Sequence, residues 1–326
     1  MLTLVLQELV VGLATGAVYA LIALGYTMVY GIIELINFAH GDIFMIGTFI
    51  SITIFGFLGI TTASQPTGVA LIAILLVACL GAMLICAILG VVIERIAYRP
   101  LRNSPRLAPL ISAIGVSLIL EDTGKLWKGV TNVPFPQIFP QITYYIGPVT
   151  INSVYILVLI VSLALMVGLQ WLVRSTRIGR AMRAVAQDRE AAALMGVNVD
   201  RIISITFFIG AGLAGAAAFI YGLEYGVTNF IIGFQLGLIA FTAAVLGGIG
   251  NLIGAMLGGI LIGIIESLAT LIPDSNASDA PTLFGIPLGL PHGGAAWHLA
   301  IIFAILILIL VFRPSGLLGQ QVPEKV

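Results

Sequence analysis

The chain has 326 residues, 60% of them hydrophobic and 9% charged, with a mean hydropathy of +1.16 and no net charge. Soluble domains carry roughly 25% charged residues, so most of this chain belongs in lipid, and its neutral balance excludes a nucleic-acid footprint. Long unbroken apolar runs, instead of alternating segments of roughly ten residues, exclude a transmembrane barrel. The expectation is an all-α polytopic membrane protein with about eight or nine transmembrane helices.

The first predicted span covers residues 7–33. Residues 1–11 carry no Lys or Arg and run directly into it, so no cleavable signal peptide is expected. Residues 34–42, Glu-Leu-Ile-Asn-Phe-Ala-His-Gly-Asp, then interrupt the apolar pattern without a basic residue. Asn37, Phe38, His40, Gly41 and Asp42 are the candidates for a transport path or its gate. Spans at 43–60 and 69–93 are joined by the turn Ser64-Gln-Pro-Thr-Gly68. Cys79 and Cys86 share a face of the second of these at roughly 10 Å, too far for a disulfide, and read as apolar packing.

A basic island at 94–106 holds four arginines with Pro100 and Pro105. Residues 109–120 continue as a helix to Glu121 and Lys125, spaced for a surface ion pair. Residues 127–153 interleave four prolines with Phe135, Phe139, Tyr144 and Tyr145, which predicts an irregular loop at a membrane interface.

Spans at 154–173 and 202–223 flank a central island, 174–201, that carries six of the fourteen Lys and Arg residues. Arg174, Arg177, Arg180 and Arg183 recur on one helical face, with Ala181, Met182, Ala184 and Val185 on the apolar side, as in an arm lying along a membrane surface. Asp188 is placed to cap a new helix, Glu190 suits the positive end of its dipole, and Gly196 is a natural terminator. Ala191 to Met195 favour helix between them. By itself the island reads either as a basic loop that fixes topology or as a rigid knob for a partner's groove.

Spans at 231–246 and 255–272 enclose the glycine-rich break 247–254. Gly250, Gly254 and Gly258, with Gly259 and Gly263, predict close helix contacts, and Gly247 and Gly248 join the path candidates. Residues 34–50 and 246–262 share a pattern of apolar run, glycine-containing break and small-residue helix. Such pairing reads as an inverted repeat with discontinuous or re-entrant helices, or as two ordinary tight turns. A Pro/Gly-rich loop at 273–297 precedes the last span, 299–312. Twelve of the fourteen Lys and Arg residues lie in the two islands or at Arg313 and Lys325. The positive-inside rule therefore puts both islands and the C-terminus in the cytoplasm, and loops 127–153 and 273–297 outside.

No Gly-x-x-x-x-Gly-Lys-Ser/Thr loop occurs, so ATP and its magnesium are expected on another polypeptide and no cofactor on this one. His40, His292 and His298 have no metal-ligand spacing. An intramembrane hydrolase would need a nucleophile that His40 and Asp42 lack, and no Gly-x-Ser-x-Gly is present. An ion-driven transporter would keep a carboxylate deep in a span; Glu34, Asp42, Glu94, Glu121 and Glu224 sit near predicted ends. Glu266 is the exception and reads as a helix-end residue facing an outer vestibule.

Glu190-Ala-Ala-Ala-Leu-Met-Gly196 matches the E-A-A-x-x-x-G pattern of ATP-binding-cassette (ABC) importer permeases. The runs Tyr19 to Gly31, Ile36 to Asp42, Glu94 to Arg102 and Phe241 to Gly250 resemble the H-type permease of branched-chain amino acid, Liv-type, ABC importers over nearly the whole chain. The usual continuation toward Leu-Pro is replaced by Ile205-Thr-Phe-Phe208, and loop 273–297 is longer than the resemblance leads one to expect. The resemblance implies one permease domain over residues 1–326. It implies a coupling helix that meets a separate ATPase, with Arg183, Asp188, Arg189, Glu190, Ala191, Ala192 and Gly196 at the contact. It further implies a second related permease, two ATPases and a periplasmic amino-acid-binding protein, assembled in a bacterial inner membrane. Urea or short amides, carried by related permeases, fit the same description.

Overall fold

The computed structural model describes residues 2–102, 104–105, 107–276, 282–283, 286–287 and 289–319. Arg106, residues 277–281, 284–285 and 288 of loop 273–297, and the tail with Lys325 therefore lie outside the described residues. With no water to bond exposed peptide groups in a bilayer, long Leu-, Ile-, Val- and Ala-rich stretches must satisfy their backbones within helices. The described residues form α1 (Leu2–Ile33), α2 (Ala39–Phe57), α3 (Gly68–Ile93), α4 (Leu107–Lys128), α5 (Ser153–Ser175), α6 (Arg177–Gln187), α7 (Arg189–Leu194), α8 (Val199–Tyr225), α9 (Ile232–Gly247), α10 (Leu252–Ala269), α11 (Gly293–Ala296) and α12 (His298–Phe312). A π-helical turn, Glu94–Tyr98, extends α3. Seven of these helices are long and apolar enough to cross a membrane, and α9 and α12 are shorter apolar helices.

The bundle has two unlike ends. One gathers the arginines: the π-turn, α6, α7 and the start of α8. The other holds the connection between α4 and α5, which is more regular than the proline count predicts. There β2 (Thr143–Ile146) and β3 (Val149–Asn152) form a hairpin, while β1 (Val133–Pro134) pairs with β4 (Val227–Thr228). We call these the arginine end and the hairpin end.

The chain directions reveal an inverted repeat. α1 runs to the arginine end, α2 runs from mid-bundle to the hairpin end, and α3 and α4 return and rise again. α8, α9, α10 and α12 trace the same path with every direction reversed, and α5 joins the two sets. The packing obeys the same relation: the most extensive contacts are α1 with α10 and its counterpart, α8 with α3. Glycines make both possible. A Cβ on Gly12 or Gly16 would lie 2.7–2.8 Å from the backbone of α10, and one on Gly215 would lie 2.6 Å from the Ala82 carbonyl oxygen of α3. Small residues let helices approach where lipid supplies no hydrophobic drive between them.

The repeat does not pair the segments that the sequence pattern suggests. Residues 247–254 are a tight turn: Gly248 and Gly250 take positive φ angles (104° and 91°), and Asn251 caps α10 by accepting from the Gly254 N–H at 3.1 Å. The true counterpart of 34–42 is the chain around 226–234. Glu34 and Gly226 end their helices with φ of 56° and 70°. His40 N–H donates to the Asn37 carbonyl (3.1 Å) as Ile232 N–H does to that of Asn229 (3.4 Å). Asn37-Phe38-x-x-Gly41 and Asn229-Phe230-x-x-Gly233 are the matching sequences.

Candidate substrate crossing and coupling helix

After Glu34 the chain turns back along α1, and α2 begins beside Gly25, about 12 Å inside the end of α1 by helical rise. From the opposite end, residues 226–231 descend past Thr48, whose hydroxyl meets that of Thr228 at 2.8 Å, and α9 begins beside Gly41. Two helix N-termini thus meet in the middle of the bundle. A Cβ on Gly41 would collide with the Gly233 carbonyl and lie 2.8 Å from the Gly237 Cα; one on Gly233 would lie 2.9 Å from the Gly41 carbonyl oxygen.

Polar groups collect where they cross. His40, Asp42 and Asn37 are buried. Asp42 Oδ2 accepts from the Ser117 hydroxyl of α4, and its Oδ1 faces Gly233 in the first turn of α9, at the positive end of that helix dipole. The Tyr98 hydroxyl donates to Asn37 Oδ1 at 2.8 Å. Tyr26 sets its ring edge-on to His40 (4.7 Å between centroids) and Phe241 (6.2 Å), and Phe38 also lies 6.2 Å from Phe241. Asn37 Nδ2 and Asp42 Oδ1 are buried with no hydrogen-bond partner among the described residues. Each such group costs roughly 1–3 kcal/mol, and ionisable residues inside a membrane protein mark transport pathways. Half-helix N-termini with an adjoining aromatic wall suit a molecule that carries both charged termini and an apolar side chain.

Gly247 and Gly248 are not part of this crossing. Gly247 packs on Gly254, and Gly248 on Ser315 and Gly319 beyond α12, roughly 15 Å along α9 from Gly237. Glu266 lies one turn from the hairpin end of α10, beside Tyr19, and is likewise remote from the crossing.

At the arginine end the central island divides in three. The expected single arginine face is broken at Thr176, whose hydroxyl accepts from the Gly179 N–H (3.0 Å), so Arg174 belongs to α5 and Arg177, Arg180 and Arg183 to α6. α6 buries Gly179, Met182 and Val185 against the bundle, and Arg183 donates to the Val173 carbonyl at the end of α5. Asp188 caps α7 by accepting from the N–H groups of Glu190 (2.9 Å) and Ala191 (3.0 Å). Gly196 (φ 84°) ends it, with Gly196 and Val197 donating back to Ala193 and Ala192 as in a Schellman motif. Ala192 is turned inward at 4% exposure, whereas Leu194 and Met195, which the contact predicted from sequence does not include, are 89% and 84% exposed at the tip.

One connection leads inward from this knob and another from the start of α8 just beyond it. Arg189 donates to the Ile32 carbonyl at 2.8 Å, tying α7 to the end of α1 just before the re-entrant segment. Asp200, in the first turn of α8, pairs with Arg99 and with Arg102 (2.5 Å); Arg102 in turn meets buried Glu94 at 2.7 Å, which also accepts from Ser204 at 2.7 Å. The sequence offers a signal for this network in the second basic island and in an acid two residues after the Asn198 cap, but no spacing rule joins residues so far apart in the chain.

The profile of the branched-chain amino acid transport system permease component family matches residues 9–310. The chain belongs to that family. It is 41% identical to the high-affinity branched-chain amino acid transport system permease protein BraD of Pseudomonas aeruginosa, covering 98% of both chains. It is 42% identical to the corresponding permease protein LivH of Escherichia coli K12, over 98% of this chain and 97% of that one. As a member of this permease family, the chain is a transport component, and its apolar helices belong in a membrane.

Proposed function

We propose that this chain is one permease of an ATP-driven importer for branched-chain and other hydrophobic amino acids. Its arginine end faces the cytoplasm and its hairpin end faces the side from which a substrate-binding protein delivers solute. ATP and magnesium are held by two separate ATPases, and a second, related permease completes the path through the bilayer of a bacterial inner membrane. The observation that carries this reading is α7, a helix capped at both ends that presents Leu194 and Met195 to a partner. Movement of the knob reaches α1 through Arg189 and α8 through the short link 195–198, and these two helices lead directly into the re-entrant segments that meet at the crossing. A loaded path therefore opens and closes around Asn37, Phe38, His40, Gly41 and Asp42 as the ATPases close.

The test uses the assembled complex in membrane vesicles. A cysteine placed at Leu194 is expected to crosslink to one in the ATPase groove. Glu190→Lys is expected to lower leucine uptake about ten-fold or more, equivalent to roughly 1.4 kcal/mol, with the amounts of permease and ATPase in the membrane unchanged. Uptake of leucine by this chain without an ATPase would overturn the reading, and uptake of urea in place of leucine would reassign the substrate.

A further inference from the structure

A pocket of about 370 Å³ opens at the arginine end between the π-turn and the first turns of α8. Among the described residues, Arg95, Arg99 and Arg201 line it against a single carboxylate, Asp200. Asp200 is already engaged by Arg99 and Arg102, and among the described residues neither Arg95 nor Arg201 has an ion-pair partner. The start of α8, a helix of 27 residues, adds the positive end of its dipole. The other wall is apolar: Val91, Ile205 and Phe208.

From Val91 this wall passes onto the outward face of α3, where Ile72, Leu76, Leu80, Leu84 and Ile88 stand four apart and are all more than half exposed. Unpaired guanidiniums at one end of a continuous apolar strip match a phosphate joined to acyl chains. A nucleotide or a free phosphate would use the cations alone, whereas a phospholipid uses the cations and the lipid-facing strip that adjoins them. A soluble protein surface would have no use for a strip that runs the length of a membrane helix.

We propose that this pocket binds the phosphate headgroup of an anionic phospholipid, with its acyl chains laid along α3. Arg95 and Arg201 hold the phosphate, and Arg99 is shared between it and Asp200. This rests on the orientation proposed above, which puts the pocket at the cytoplasmic face, where basic pockets between helices bind such headgroups. The site lies next to the exit from α7, so an occupied pocket braces the joint through which α8 is moved.

The experiment uses the complete importer complex in nanodiscs of phosphatidylcholine, with or without phosphatidylglycerol. Retained lipid is counted by native mass spectrometry, and a cysteine replacing Ile205 reports access of a water-soluble maleimide to the pocket. Phosphatidylglycerol is expected to be retained and to slow labelling of Ile205→Cys. Arg95→Gln and Arg201→Gln are each expected to reduce retention about five-fold, while Arg177→Gln on α6 leaves it unchanged. The proposal is overturned if the double Arg95→Gln/Arg201→Gln variant retains the lipid. Equal labelling in both lipid compositions overturns it without any arginine variant, and this result also covers a pocket shielded by a partner subunit. Equal protection by inorganic phosphate in phosphatidylcholine alone would make it a soluble-anion site and overturn it as well.

Discussion

The two re-entrant segments have one backbone and two chemistries. Both follow a helix that ends in left-handed backbone, both turn at Asn-Phe, and both start a new helix at mid-bundle with a glycine against the other. The first places His40 and Asp42 in the buried crossing, whereas the second has Ile232 and Phe234 at the corresponding positions. Close backbone approach is thus a property of the repeated scaffold, and polarity has been added to one half alone. A structural requirement shared by both segments should fail in both when it is removed. A requirement of transport should fail only in the first.

The largest effect tests the shared part. Gly41→Val and Gly233→Val each force a side chain into the backbone of the opposing segment, at positions where even a Cβ has no room. Each is expected to cost about 3 kcal/mol or more and to remove folded protein from the membrane, as read by fluorescence-detected size-exclusion chromatography. Tolerance of one substitution and not the other would show that the two halves do not share a packing constraint.

The next effect separates the halves. Asp42→Asn keeps the shape of the side chain and its contact with Ser117 but replaces the carboxyl group that faces the start of α9 with an amide. Uptake is expected to fall about ten-fold, which corresponds to roughly 1.4 kcal/mol, with an unchanged amount of protein. Phe234→Leu, at the corresponding place in the second segment, should stay within about two-fold. If both variants transport normally, the buried carboxylate is a packing residue and the crossing is not the path.

Much of this frame is legible in the sequence. Long apolar runs mark the spans, and the Asp188 cap with Gly196 marks α7. The small-residue spacing at Gly259 and Gly263 marks a close contact that the structure resolves into α10 against α1, where Gly12 and Gly16 receive it. The glycine pattern nevertheless points the repeat to the wrong partner, because small residues on either side of a turn look the same as those on either side of a re-entrant segment. The informative signal is Asn-Phe-x-x-Gly, which occurs at both breaks, and not the density of glycine. The tip of the coupling knob escapes sequence reasoning for a different reason. Which face of a six-residue helix points outward depends on how α6 and α8 hold it, and that is tertiary information.

A third prediction concerns the helix ends. Gly226 has left-handed backbone, and a Cβ there would meet only the flexible Gln137 side chain, so Gly226→Ala is strained by conformation and not by crowding. The expected loss is about 1 kcal/mol, measured as a lower thermal midpoint of the purified complex. Glu34 already bears the same backbone conformation as a non-glycine residue, which shows that the scaffold can hold it.

The smallest effect distinguishes the two asparagines. Asn229 Oδ1 accepts from the Ile231 N–H at 3.1 Å, a local turn that an aspartate makes equally well, and its Nδ2 donates to Oδ1 of exposed Asn132 at 3.2 Å, where the Asn132 amide is free to turn and donate instead. Asn229→Asp is therefore expected to change stability by no more than about 0.5 kcal/mol. Asn37 spends the same atom on the Tyr98 hydroxyl, a contact between distant parts of the chain, and is buried in the crossing that also holds the Asp42 carboxylate. Asn37→Asp would bring a second acid into that setting and should be tolerated much less well. Equal behaviour of the two variants in a thermal-shift measurement would mean that the first asparagine, like the second, tolerates an acid in its place, and the polarity of the crossing would then rest on His40 and Asp42.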